Sequence, residues 1–346
     1  MTSLRPLEQL LKSRLREFFR EPEAIFWVYG FPVLLAVGLG IAFREKPPEQ
    51  IRVDLAAEAS APAADRARAA LSDERFVVSV CSGEECAARL RMGRSDLYVV
   101  AADPVQYVYD AMRPESILAR ARVDEALQRQ AGRTDPVATH DRLVTEPGSR
   151  YIDFLIPGLL GMNLMGGGLW GVGFVIVDMR VRRLLKRLVA TPMRKSHFLI
   201  AMVGSRLIFM LPEMALLLLA GSLFFQVVVR GSLLAVTAVT ILGAVSFAGL
   251  GLLVACRAQK IETVAGLMNV VMLPMWLLSG IFFSSDRFPQ AIQPAIKALP
   301  LTLLNDALRA VILEGAPILS QAGRLAGLAA WGVVSFALAL RWFRWN

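Results

Sequence analysis

The fold of this chain is decided by residues 151–198, which read YIDFLIPGLLGMNLMGGGLWGVGFVIVDMRVRRLLKRLVATPMRKSHF. The part from 152 to 177 contains one ionisable residue, Asp153, and is otherwise almost entirely apolar. A helix needs about 20 consecutive apolar residues to cross the hydrocarbon core of a bilayer. Charges resume at Asp178, and seven Lys and Arg residues follow before residue 198. The pattern predicts a membrane-spanning helix that ends in a basic surface segment.

Five further apolar blocks have a comparable length, at residues 24–43, 198–229, 233–256, 264–283 and 325–342. Over the whole chain of 346 residues, 55% are hydrophobic and the mean hydropathy is +0.51. We therefore predict a membrane protein, an all-α transmembrane bundle of six helices. Two shorter segments lie within residues 286–314 and are interrupted by prolines, so they are expected to form outer re-entrant helices.

The segment before the first block predicts a helix that lies on the membrane surface. Leu4, Leu7, Leu11, Leu15 and Phe18 recur at steps of three and four residues, and basic residues occupy the rest of the helical wheel. Residues 1–22 are thus expected to form a cytoplasmic amphipathic interface helix, and residues 23–43 the first transmembrane helix.

Residues 44–150 have a different composition, with 16 basic and 18 acidic residues. Short strand-like runs alternate with helical ones, which predicts an inserted α/β domain. Cys81 and Cys86 lie in this segment. They pair if the domain faces an oxidising compartment, but two small buried thiols are an equally good interpretation.

The charges of the short connections predict the topology. With the N-terminus inside, residues 1–22, 178–197, 257–260 and 341–346 carry 16 Lys and Arg, whereas the opposite connections carry four. Cytoplasmic loops are enriched in Lys and Arg. Both termini are therefore expected in the cytoplasm, the α/β domain is expected to be extracytoplasmic, and residues 151–346 supply the other five helices. The net charge of +9 thus reflects orientation in the lipid bilayer, and no nucleic-acid partner is expected.

Residues 178–198 predict a short basic helix stopped by Thr191-Pro192, because the residue before a proline disfavours helical geometry. A basic loop can simply anchor the topology or contact anionic lipid. The block RRLLKRLVATPMRKSHFLIA, however, resembles the cytoplasmic coupling helix of permease subunits of the type-2 ABC exporter family. The segments LREFFREPEAIFWVYGFPVLLAVGLGIAF, LSGIFFSSDRFP and PLTLLNDALRAVILEG resemble the family's surface helix with first span and its outer loop, in the same order.

The resemblance implies a separate ATPase subunit, in two copies, and a second copy of the permease (homodimer) or a related permease. The ATPase would dock on a coupling helix that includes Arg182, Arg183, Lys186, Arg187, Thr191, Pro192 and Arg194. No G-x-x-x-x-G-K-[ST] loop occurs in the chain. ATP and Mg are therefore expected on the partner subunit, and no cofactor or metal is expected on this chain, which is not catalytic alone.

The resemblance further implies export of a hydrophobic or amphipathic cargo across a bacterial cytoplasmic membrane. ATP-driven closure of the ATPases would shift the spans between two packings. One departure concerns the stretch Arg-Glu-Arg-Gly-Thr of many members, because this chain has Arg180-Val181-Arg182-Arg183-Leu184 there.

Polar residues inside apolar blocks are the remaining candidates for function, because they are costly in a bilayer. Glu213 follows Pro212, and Arg206 lies two turns earlier on the same face. Glu213 is interpreted either as a gate or cargo contact, or as a buried acid held by neighbouring donors. Asn163 precedes Gly166-Gly167-Gly168, a sign of close helix packing or of a dimer seam. Glu262 and Asn269 share one face of the fifth span. With Asn163 they are the further candidates for an intramembrane gate or cargo contact.

Two other functional classes were weighed. An intramembrane enzyme is disfavoured, because the chain has two histidines and no HExxH sequence. A membrane receptor or assembly scaffold with an extracytoplasmic ligand-binding domain is the main alternative to a permease.

Overall fold

The structure, a computed structural model, describes residues 5–43, 50–57, 61–102, 104–134, 150–190 and 195–343; at 5, 6, 61–63, 188, 189, 195 and 196 it describes the backbone alone. Contacts divide the chain into two compact units. The membrane unit comprises Met1–Arg44 and Val144–Asn346, and the inserted unit comprises Glu45–Leu143. This division places the unit boundary where the composition changes.

Helices dominate the described residues. They are α1 (Arg5–Phe19), α2 (Pro22–Ile25), α3 (Phe31–Ala42), α4 (Ala61–Ala70), α5 (Gly83–Arg91), α6 (Pro114–Gln130), α7 (Tyr151–Gly168), α8 (Val175–Val181), α9 (Leu184–Val189), α10 (Lys195–Phe225), α11 (Leu233–Ala255), α12 (Ile261–Leu278), α13 (Gln293–Ala298), α14 (Pro300–Ile312) and α15 (Ala322–Trp342). Two π-helical segments, Phe26–Gly30 and Leu169–Phe174, join α2 to α3 and α7 to α8. Short 3-10 turns lie at Ser285–Arg287, Gln290–Ile292 and Ile318–Gln321.

Six helical stretches among the described residues are long and apolar enough to cross a membrane. They are span 1 (Pro22–Ala42), span 2 (Tyr151–Val181), span 3 (His197–Phe225), span 4 (Leu233–Ala255), span 5 (Ile261–Leu278) and span 6 (Ile318–Trp342). The six predicted helices are thereby confirmed. Their bounds differ from the apolar blocks by a few residues, as expected where helix ends are set by capping and not by hydropathy.

The end of span 3 is the clearest correction. The apolar block extends to residue 229, but the helix ends at Phe225 because Gln226 adopts a left-handed backbone (φ 55°). The apolar residues that follow run on in non-helical backbone. The chain then meets α14, where the Arg230 N–H donates to the Ile312 carbonyl at 2.9 Å. Hydropathy cannot detect such a break, because both conformations bury apolar side chains.

Spans 2 and 4 form the centre of the membrane unit. About two thirds of each is buried, against about a fifth of spans 1, 5 and 6. The two central helices approach backbone to backbone: a Cβ on Gly251 would lie 2.2 Å from the Gly168 carbonyl oxygen. The helix α14 packs against α7, α11 and α15 and is largely buried. It lies within the predicted range 286–314 and begins at Pro300, because proline is well suited to the first turn of a helix.

The described residues of the inserted unit form four strands, β1 (Ile51–Ala56), β2 (Phe76–Cys81), β3 (Leu97–Val100) and β4 (Gln106–Tyr109). They form one sheet in the order β2-β1-β3-β4, with β1 parallel to both neighbours and β4 antiparallel to β3. Val53, Leu55, Leu97 and Val99 face helices α4 and α6 in a buried core. On the other face, Cys86 of α5 packs against Ala56 and Cys81.

Candidate functional site

A turn separates the basic helix α9 from α8, the last part of span 2. Arg183 has a left-handed backbone (φ 58°), so α8 ends at Val181 and α9 starts at Leu184. A left-handed residue just after a helix is a common way to end it. The helix α9 is then held by Leu185, which is 1% exposed in the core of the membrane unit.

Four cations surround this anchor and are exposed, Arg182, Arg183, Lys186 and Arg187. Arg182 forms an ion pair with Asp178 at 2.9 Å, one helical turn earlier. An exposed pair of this kind contributes about 0.5 kcal/mol or less. The structure therefore presents the predicted basic residues to the surroundings. Three other predicted residues of this segment, Thr191, Pro192 and Arg194, lie outside the described residues.

Arg180 has a role that the sequence did not predict. Its guanidinium lies at the end of span 4, where it donates to the carbonyls of Ala255 at 2.9 Å, Cys256 at 3.3 Å and Ala258. The last carbonyls of a helix lack partners within the helix and carry partial negative charge. Arg180 therefore caps span 4 from span 2. The fourth apolar block ends at residue 256. The end of this block indicated that backbone carbonyls without partners inside the helix would lie there.

A groove of about 800 Å³ lies between α1 and the adjoining ends of spans 2 and 3. The helix α1 packs on span 3, with the rings of Phe18 and Phe209 separated by 4.2 Å between centroids. Cationic side chains from α1, from α9 and from the residues that follow α1 and α8 line the groove together with apolar side chains. This surface joins the basic helix to the predicted interface helix.

A second polar site is buried inside the membrane unit. Arg206 Nη2 lies 2.8 Å from Glu213 Oε2, and the two side chains are 6% and 3% exposed. The same nitrogen donates to the Asn163 backbone carbonyl at 3.2 Å. The two residues are seven apart in α10, so both project from one face of the helix. The structure thus brings Glu213, Arg206 and Asn163 together across spans 2 and 3.

Gly167 makes room for this ion pair. A Cβ at Gly167 would lie 1.8 Å from Cζ and Nη2 of Arg206, whereas a Cβ at Gly166 would meet no atom within 4 Å. Gly168 instead allows the close approach of span 4, near Phe247. Within this chain the glycine triplet therefore has separate tasks: one glycine accommodates a guanidinium and another a helix backbone.

The predicted face of span 5 is open. Glu262 lies in the first turn of α12, and both it and Asn269 are exposed. Asn269 is flanked on that face by apolar residues, with Val270 70% and Leu273 58% exposed. The structure does not bring this face to the Arg206–Glu213 pair.

Cys81 and Cys86 are joined by a disulfide in the inserted unit. The Asp54 carboxylate approaches both sulfur atoms within 4.8 Å and forms an ion pair with Arg89 at 2.8 Å. The carboxylate is 1% exposed. The disulfide therefore connects β2 to α5, and the ion pair connects β1 to α5.

An arginine at the far end of the bundle also joins several elements. Arg309 of α14 lies over the Phe154 ring at 3.7 Å and donates to the carbonyls of Phe154 and Gly280. Its distance to Asp306 is 3.9 Å, the limit of an ion pair. Arg309 thus mainly connects α14 to the ends of spans 2 and 5.

The six spans, their central helix pair and the buried ion pair define a multi-pass integral membrane protein. Its amphipathic and basic helices lie at the ends of the spans, as in the membrane component of a transporter. The family model described as "ABC-2 family transporter protein" matches residues 22–341, so the chain belongs to this family. The resemblance found in the sequence is confirmed, and a permease of this family is a transporter component that is not itself catalytic.

Two curated relatives match parts of the chain. The ABC transporter G family member 20 of Dictyostelium discoideum is 27% identical over 171 residues, which is 49% of this chain and 23% of the relative. Nodulation protein J of Rhizobium meliloti (strain 1021) is 32% identical over 108 residues, 31% of this chain and 41% of the relative. The matches thus span less than half the length of each relative. No solved structure matches.

Proposed function

We propose that this chain is the permease subunit of an ATP-driven exporter whose energy comes from a separate ATPase. The observation that carries the proposal is α9, a short helix at the end of span 2 that is anchored by one buried leucine and surrounded by four exposed cations. A simple topology anchor needs charge but no such fixed turn and buried attachment. The helix supplies a rigid, charged projection on which another subunit can dock.

The proposed assembly contains two ATPase subunits, which hold ATP and Mg. The match to an "ABC transporter" relative supports an ATPase partner, since that relative is named for such a cassette. The second permease is either another copy of this chain or a related permease. The open face of span 5 supports such a neighbour, because an amide in mid-span usually faces protein or a water-filled cavity rather than lipid.

We also propose that the inserted unit lies outside the cytoplasm of a bacterial cell, with both termini inside. The bias of 16 Lys and Arg against four supports this orientation. The disulfide between Cys81 and Cys86 also supports it, because such bonds persist in oxidising compartments. Both lines of reasoning are independent of the family.

The cargo is proposed to be hydrophobic or amphipathic, such as a lipid, drug, natural product or glycan. The faces that spans 1, 5 and 6 leave uncovered are aliphatic and aromatic, which supports a cargo with apolar surface. Glu213 is buried and paired within span 3, so we assign it to fixing the Arg206 guanidinium, which in turn contacts the Asn163 carbonyl of span 2. Asn269 and Glu262 are the proposed contacts of cargo or second permease.

Co-expression with candidate ATPase subunits tests the proposal. The complex is purified in detergent, and its ATP hydrolysis is compared with that of a variant carrying Arg183→Glu and Lys186→Glu. The matched control reverses the charge of two other exposed cations that are predicted on the same side of the membrane, Arg257→Glu and Lys260→Glu. We expect the first variant to lose the ATPase and the control to keep it.

If no ATPase co-purifies and the reversals alter only membrane insertion, the basic segment is a topology anchor. The receptor or scaffold function would then be preferred.

A further inference from the structure

The groove between α1 and the ends of spans 2 and 3 has an unusual charge distribution. Three carboxylates line it, from Glu17, Glu21 and Asp178. Six cations line it as well: Lys12, Arg14, Arg16, Arg20, Arg182 and Arg187. The cations therefore exceed the carboxylates by three in one concave surface, which is a site for an anion.

Half of these cations are already neutralised by neighbours. Lys12 pairs with Glu8 at 2.6 Å, Arg14 with Glu17 at 2.7 Å and Arg182 with Asp178 at 2.9 Å. Among the residues that the structure describes, no ion pair involves Arg16, Arg20 or Arg187. Arg16 lies in α1, Arg20 follows directly after α1, and Arg187 lies in α9, so the unpaired charge comes from both sides of the groove.

The floor of the groove, meaning its more buried lining, is apolar: Phe198, Ala201 and Met202 are each 2% exposed, whereas the cations Arg16, Arg20 and Arg187 are exposed. Leu10, Val175, Met179, Phe198, Ala201 and Met202 contribute to its lining. A cationic rim above an apolar floor fits a ligand with an anionic head and hydrocarbon chains. It does not fit a fully hydrated anion such as free phosphate, which would leave the floor exposed to water.

The position of α1 places this groove at the level of lipid headgroups. The helix ends at Phe19, and span 1 begins at Pro22. Phe19 and Trp27 are 64% and 61% exposed on either side of this junction, as expected for aromatic side chains at a membrane–water interface. An amphipathic helix in such a position lies within the headgroup layer.

We propose that the groove seats the phosphate headgroup of an anionic phospholipid, with Arg16 and Arg20 on one side and Arg187 on the other. The acyl chains lie along the apolar floor and continue into the bilayer. This proposal rests on the placement of the chain in a membrane, and it shares Arg187 of α9 with the proposed docking helix. Arg183 and Lys186, which carry the docking test above, are outside the groove lining.

The test is lipid titration of the purified full chain, followed by native mass spectrometry. The probes are phosphatidylglycerol and phosphatidylcholine with the same acyl chains. Each cation near anionic lipid contributes a factor of about five in affinity, so Arg16→Gln with Arg20→Gln should weaken phosphatidylglycerol binding about 25-fold. Phosphatidylcholine binding should stay unchanged.

Two further variants make the result specific. Arg187→Gln, on the opposite wall, should weaken phosphatidylglycerol binding about fivefold. The matched control, Arg257→Gln with Lys260→Gln, removes two exposed cations outside the groove and should change neither lipid.

Three outcomes would overturn the proposal. One is equal binding of the two lipids by the unaltered chain. Another is the same loss in the control as in the Arg16 and Arg20 variant, which would indicate general surface charge. The third is a variant that keeps phosphatidylglycerol but loses a co-expressed ATPase subunit, which would assign the groove to the protein partner.

Discussion

Gly167→Ala tests whether the buried Arg206, paired with Glu213 in span 3 and bonded to span 2, stabilises the fold. The new methyl group would lie 1.8 Å from the Arg206 guanidinium, which must therefore move away. The move breaks the 2.8 Å contact with Glu213 and the 3.2 Å hydrogen bond to the Asn163 carbonyl. Separating a buried pair costs about 3–5 kcal/mol, because an unpaired charge remains in an apolar site. Alanine has a higher helix propensity than glycine, which stabilises the helix by about 1 kcal/mol. A net loss of about 2–4 kcal/mol in the free energy of unfolding is therefore expected.

The preceding glycine is a matched control. Gly166 lies in the same helix with open space around its Cα, so Gly166→Ala should gain up to about 1 kcal/mol. Adjacent and chemically identical substitutions are thus expected to shift stability in opposite directions. The assay is the thermal unfolding midpoint of the purified chain in detergent, where about 2–4 °C corresponds to 1 kcal/mol.

A third variant identifies the cause of the loss. If Arg206 and Glu213 are first replaced together by leucine, the guanidinium is no longer present and Gly167→Ala should cost little. Equal midpoints for Gly167→Ala and Gly166→Ala, or an undiminished cost in the leucine background, would refute the reasoning.

Three other predictions concern residues outside this pair. Arg180→Ala should destabilise the chain by about 2 kcal/mol, because the carbonyls at the end of span 4 lose a charged donor, whereas Arg182→Ala should change the unfolding midpoint little. Arg183→Gly should raise the midpoint slightly, because glycine adopts the left-handed backbone without strain of about 1 kcal/mol; a lower midpoint would contradict this explanation. In the inserted unit, burial and the hydrogen bond to Asp124 raise the pKa of Tyr107 to about 12. The stability due to its protonated form is present below pH 10 and lost as the pH rises towards 12, so Tyr107→Phe should remove one late step from the tyrosinate absorbance titration.

The sequence predicted the elements of this fold better than their ends. Six spans follow from hydropathy because crossing a bilayer requires length and apolarity, and those properties are visible in one dimension. The end of span 3 depends on the left-handed backbone of Gln226, which no apolar pattern reports. The strands of the inserted unit were also indicated by the sequence, because short runs rich in β-branched and aromatic residues alternate there with helical ones.

The candidate sites show the same limit. The pairing of Arg206 with Glu213 was visible as a seven-residue spacing on one helix. The contact of Arg180 with span 4 joins residues about 75 positions apart in the chain, and only the folded bundle brings them together. Gly167 was identified as a packing residue, but its partner is a guanidinium and not a neighbouring backbone.

The contacts of Arg180 also have a mechanical consequence. The base of span 2 and the lower end of span 4 are fastened by three hydrogen bonds beside α9. Span 4 in turn is fastened to span 6, where Ser246 Oγ donates to the Leu328 carbonyl at 2.9 Å. If an ATPase pushes on α9 as proposed, the force is therefore expected to reach spans 2, 4 and 6 together through these hydrogen bonds.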